Sequence, residues 1–176
     1  MIAIIAALFG VISFICHFRK ITQMSRTYGL RTAGDLLAKL ERDAQAFREG
    51  VSSDRFFNFV ITAYALADWV QSDPNVPGAA KAALAQFRDK FEIKICRDLA
   101  NASKHFQLDS RRNPNPTVAS TNSAQGYGLG RFGAGEFGVG EEEITVWLTA
   151  GRGVNGLVVV EDALREWKAF FLTHTI

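Results

Sequence analysis

The sequence predicts a mainly helical protein: a bundle of four to five helices with a β-hairpin and a glycine-rich loop inserted before the last helix. Three observations carry that expectation. Apolar residues recur at steps of three and four from Ala33 onward. One long segment, 54–71, is apolar nearly all round. Ten of the fifteen glycines fall between Gly126 and Gly156, just ahead of a final helical stretch. With 176 residues, the chain has room for one domain and an appendage, not for two full cores.

Residues 1–18 contain no Asp, Glu, Lys or Arg, and Arg19, Lys20 and Arg26 follow at once. As a helix they reach about 27 Å, close to the thickness of a bilayer's hydrocarbon core. The segment lacks both a positive start and a small-residue cleavage site, so a removed signal peptide fits poorly. A positive flank held inside predicts a cytoplasmic chain, tethered to the inner membrane through residues 1–20. The competing reading is an apolar helix that packs on the domain 27–176 or on a partner. A reducing compartment suits Cys16 and Cys96, which lie far apart and form no CxxC.

The first helix of the domain places Ala33, Leu36, Leu37, Leu40, Ala44 and Phe47 on one face, and Gly50 ends it. Ser53 is the expected N-cap of the second helix, 54–71, whose all-round apolar character suits the centre of a bundle. Phe56, Phe57 and Phe59 read as core there. SDPNVPG (72–78) is a loop, followed by helices over 79–91 and 92–108. Residues 109–142 read as a flexible polar and glycine-rich loop. EITVWLTA (143–150) and LVVV (157–160) read as the two strands of a hairpin over 143–160, with Asn155-Gly156 near the turn. Val160, Leu164, Trp167 and Phe171 mark the last helix, 161–173. Trp69, Trp147 and Trp167, at helical or strand spacing, are expected in the core.

Several functions are excluded by composition and spacing. A net charge of +2 rules out a globally basic nucleic-acid coat. His17, His105 and His174 are widely spaced and form no HExxH, so neither a metal nor another cofactor is expected. GAGEFG (133–138) and GRGVNG (151–156) match GxGxxG, but neither sits between a strand and a helix within a βαβ unit.

One helix carries a pattern with chemical content. With Arg97 at zero, Phe91, Ile95, Leu99, Ala102 and Phe106 fall between about 120° and 200° around the axis. Lys90, Lys94, Arg97, Asn101, Lys104 and His105 fall between about −20° and 80°. Arg97, Asn101 and His105 step by four and line one ridge. Such a row suits metal-free RNA chemistry: an arginine holds phosphate, and a histidine moves the 2′-hydroxyl and leaving-group protons. An asparagine between them orients either group. Arg111 and Arg112 extend the positive face into the loop. The plainer reading is a solvated helix face with ordinary surface charges.

The string RDLANASKH (97–105), on a helix that follows LADW (66–69), resembles HEPN-type helical domains and is similar to helical proteins of bacteria and prophages. HEPN domains are four- or five-helix bundles that commonly dimerise, and many are metal-independent ribonucleases of toxin and phage-defence systems. The resemblance implies that Arg97 binds phosphate, that His105 is the catalytic acid and base, and that Asn101 positions them. Asp68 then matches the acidic residue of the preceding helix, and the substrate-binding residues are Asp68, Lys94, Lys104, Arg111 and Arg112. It further implies an RNA substrate and a homodimer. Seven residues separate Arg97 from His105 rather than the usual four to six, and the minimal domain has no glycine-rich loop or hairpin. The alternative expectation is a non-enzymatic interaction module whose protein partner meets the glycine-rich loop, with membrane contact through residues 1–18.

Overall fold

A computed structural model describes residues 27–105, 115–125 and 142–176 of the chain. The expectations for residues 1–18, for Arg111 and Arg112 and for the glycine-rich stretch 126–141 lie outside the described residues. At His105 and Gln125 the backbone alone is described. Among the described residues no helix is long and apolar enough to cross a membrane. The described residues fall into two units, divided between Arg31 and Thr32. The described part of the first is a turn closed by the Leu30 N–H on the Thr27 carbonyl at 3.0 Å.

The second unit is mainly helical, and its described residues form five helices and a three-stranded antiparallel sheet before the final one. The order is α1 (Ala33–Glu49), α2 (Ser53–Ser72), α3 (Gly78–Arg88), α4 (Phe91–His105), β1 (Val118–Gln125), β2 (Glu142–Leu148), β3 (Gly153–Asn155) and α5 (Gly156–His174).

Each helix start has a local cause. Thr32 and Asp35 form a capping box at α1, each side chain accepting the other's backbone N–H at 3.0 Å. Ser52, one residue earlier than expected, caps α2 by accepting the Arg55 N–H. Asp73 closes α2 and caps α1 as well: its carboxylate accepts the Ala33 N–H and the Asn75 N–H, each at 2.8 Å. One buried carboxylate thus joins the end of one helix to the start of another.

α2 touches all four other helices and buries Phe56, Phe59, Val60, Ala63, Leu66, Ala67 and Val70. It is the central helix that its composition implies. Trp167 of α5 is fully buried against Phe87, Phe170 and Phe171. Bidentate Arg48–Glu161 bonds of 2.5 and 2.8 Å tie α1 to α5 at the surface.

The sheet departs from the expected hairpin in two ways. Leu157–Val160 is not a strand but the first turn of α5, capped by the Asn155 side chain accepting the Leu157 N–H at 2.8 Å. Val159, Val160, Ala163, Leu164 and Trp167 keep a helical step, and all are buried. A short β-branched run fits strand or helix alike, and its capping and downstream periodicity decide the outcome. The partner of β2 is instead Val118–Gln125, inside the stretch read as loop. There β1 pairs antiparallel with β2, Thr121 opposite Val146 and Ser123 opposite Ile144, after an irregularity between Val118 and Ser120. Residues 149–152 turn β2 into β3, with Gly151 at φ +80°. Trp147, expected in the core, is 44% exposed on the sheet's outer side, where its ring lies over Gly153.

Gly156 sits where α5 leaves the sheet. A Cβ there would meet Ile144 Cβ at 3.1 Å and the Ile144 carbonyl oxygen at 3.3 Å. Gly156→Val is expected to destabilise the domain by about 1–3 kcal/mol, read as a lower urea midpoint. Hydrogen bonds, led by the Ala33 N–H, hold the Asp73 carboxyl below its ordinary value of 3.8. Its contribution is therefore full above 3.8 and is lost as pH falls toward the folded-state value. Asp73→Ala is expected to lower stability by about 1–2 kcal/mol at pH 7 and to flatten the stability loss below pH 3.8, measured by urea unfolding across pH.

Candidate functional site

Of the residues singled out by sequence, Lys94, Arg97, Asn101 and Lys104 stand on α4, although not as a solvated cationic row. Ile93, Ile95, Cys96, Leu99 and Ala100 are all buried, so the covered sector wraps far around the helix. Phe91, expected within the apolar stripe, is 48% exposed. Most consequential is Asp98, which at about 100° on the helical wheel is the acidic residue of the cationic sector and an expected surface partner for Arg97, and which is here fully buried. A carboxylate taken out of water needs charged or hydrogen-bonding partners. Its Oδ1 accepts from Arg97 Nε at 3.1 Å and Nη2 at 2.9 Å. Its Oδ2 accepts the backbone N–H groups of Thr117 at 2.5 Å and Val118 at 3.2 Å. Asp98 thereby fastens the start of β1 to α4, with Arg97 as its counter-charge.

The other expected site residues are dispersed. Asp68, on α2, engages Arg88 of α3 at 2.9 Å with its side chain 73% exposed. Lys94 pairs with Asp89 at 3.3 Å. Lys104 sits with its Nζ 5.7 Å from the Tyr64 ring centroid. Asn101 is half-buried, one turn beyond Arg97. His105 closes α4; its side chain, like Arg111 and Arg112, lies outside the described residues. Among the described residues there is no group of His, Cys, Asp and Glu able to hold a metal ion. Cys96 is fully buried, and burial together with the Glu92 charge pushes its thiol up to about 12, which makes it an unreactive packing group.

A groove of about 780 Å³ opens beside these residues. One wall is apolar, built by Phe56, Phe57 and Val60 of α2 with Leu99 and Ala102 of α4. Phe57, expected in the core, is 47% exposed here, while its neighbours Phe56 and Val60 are buried. The facing wall is Thr121, Asn122 and Ser123 of β1, with Ile144 of β2 beside them. Ser53, Ser103 and Lys104 also line it. Glu142, at the start of β2, accepts the Ser53 N–H at 2.9 Å and the Ser53 hydroxyl. Hydrogen bonds from Ser123 and Ser53 hold its carboxyl below the ordinary value. The groove is thus an apolar trough with a hydroxyl and amide rim, in the size range of ligand and peptide sites.

Sequence reasoning did not find this groove. Its walls come from segments around 53–60, 99–104 and 121–123, which share no local pattern, and β1 was read as loop. The exposed Phe57 next to a serine-capped helix start was the available signal. No family model matches this chain, and neither does any curated protein or solved structure. The resemblance to HEPN domains accordingly rests on the motif residues alone.

Asp98→Ala would leave the Thr117 and Val118 N–H groups and the Arg97 guanidinium without this acceptor. It is expected to cost about 3 kcal/mol and to accelerate amide exchange at Thr117 and Val118. Asp68→Ala, which breaks an exposed pair, is expected to change stability by about 0.5 kcal/mol or less. Urea unfolding and hydrogen exchange of the two variants check both outcomes.

Proposed function

We propose that this protein is a non-enzymatic interaction module whose binding face is the groove between α2, α4 and β1. The observation that carries this reading is a groove large enough for a ligand, in which half-exposed Phe57 stands beside the nearly covered Phe56, Val60 and Leu99 and faces a polar strand. The charges that suggested catalysis are engaged elsewhere: Arg97 with Asp98, Lys94 with Asp89 and Asp68 with Arg88. Arg97 serves the fold, through the buried carboxylate that anchors β1.

A second reading is a metal-independent ribonuclease acting through Arg97, Asn101 and His105, completed by a second copy of the chain and steered by Lys94, Lys104, Arg111 and Arg112. One observation favours it: Arg97 keeps 29% of its side chain exposed on the same helix as half-buried Asn101.

One pair of experiments separates the readings. A photoreactive phenylalanine analogue at position 57 is expected to give discrete protein adducts in cells, absent when it replaces outward-facing Trp147. Purified full chain, incubated with mixed RNA in EDTA, is expected to leave the RNA intact. Cleavage lost in His105→Ala, with no adduct from position 57, would overturn the module in favour of the nuclease.

A further inference from the structure

The shape of the groove names a class of occupant, on the premise that the groove is the binding face proposed above. Thr121, Asn122 and Ser123 are consecutive in a strand, so their side chains alternate between its two sides. Thr121 and Ser123 lie opposite the buried residues Val146 and Ile144, hence on the helix-facing side. Asn122 lies opposite Thr145, on the other side. A groove lined by all three reaches them along the strand's edge. The opposite edge of β1 is paired to β2, and among the described residues no strand pairs with the edge that faces the groove. Asp98 takes the Thr117 and Val118 N–H groups, which closes the beginning of the edge and leaves the stretch after it open.

The geometry points to an extended peptide of a partner protein, added antiparallel or parallel as a fourth strand along Thr121–Ser123. Backbone hydrogen bonds to the edge would supply affinity, and alternate side chains would supply specificity. Side chains on the peptide's inner face meet chiefly Phe57, the exposed apolar side chain of the groove, with Phe56, Val60 and Leu99 packed behind it, so the inner positions are apolar. Lys104 is the charged side chain among the described lining residues, which favours a carboxylate on the peptide. Open edges of this kind are ordinarily protected, and β1 has no proline or charged residue along it.

The test uses the full chain and two labelled, end-blocked hexapeptides. Both carry valine at alternate positions and threonine between, with glutamate at the first position in one and at the last in the other. Fluorescence polarisation is expected to show binding of at least one. N-methylation of that peptide's alternate, strand-facing amides should weaken it about tenfold per hydrogen bond lost. Phe57→Ala should weaken it as well. Lys104→Glu should weaken it about fivefold, and a lysine in place of the peptide's glutamate should recover the loss. Equal binding by the N-methylated peptide would overturn strand addition and leave the groove as a binding face. Binding by neither peptide would overturn the proposal, while adducts from position 57 would still stand for the module. A dimer that Asn122→Pro converts to monomer would place a second copy of this chain on the edge instead and overturn the peptide.

Discussion

A buried carboxylate holds the two halves of this domain in register. Asp98 is withdrawn from water on α4, and its partners come from its own helix and from the chain entering β1. Burying a charge is unfavourable unless it is fully engaged, so the position of β1 is dictated by the need to satisfy this group. Where β1 runs follows from that, as does the open edge it turns toward the helices. The groove and the exposure of Phe57 along it go with β1 being fastened at its start and, among the described residues, paired with β2 alone.

The helices were legible because each buries a stripe, and a stripe has a period. Leu36, Leu40, Ala44 and Phe47 of α1 were all expected on one face, and all are buried. The sheet was less legible. Val118 is the buried residue of β1, and the remainder is exposed or half-covered serine, threonine, asparagine and alanine, without alternation to detect. The opposite failure occurred at Leu157–Val160, where β-branched side chains favour a strand locally but helix burial decides. Tertiary packing overrode propensity in both places.

The candidate site was legible in part. The helix that carries it and its cationic residues are legible, and so is Asp98 as a surface salt-bridge partner for Arg97, but the burial of Asp98 is not. A single helix has no information about which strand will cross it. The charge that looked incidental is the buried one, and the arginine that looked catalytic is its counter-ion. The exposure of Phe57 is hidden in the sequence for a related reason: an all-round apolar helix implies cover on every side, whereas Phe57 is 47% exposed between buried neighbours.

The contribution of α5 to the core has a bearing on how the domain is made. Trp167, the largest fully buried side chain, belongs to the last helix, as do Phe170 and Phe171, and this helix meets α1, α2, α3 and α4. During synthesis the first four helices emerge well before their final partner. Their apolar faces, Phe87 among them, therefore wait for α5 with only one another for cover. Ribosome-bound chains arrested before Gly156 should resemble a collapsed intermediate and be natural clients of nascent-chain chaperones.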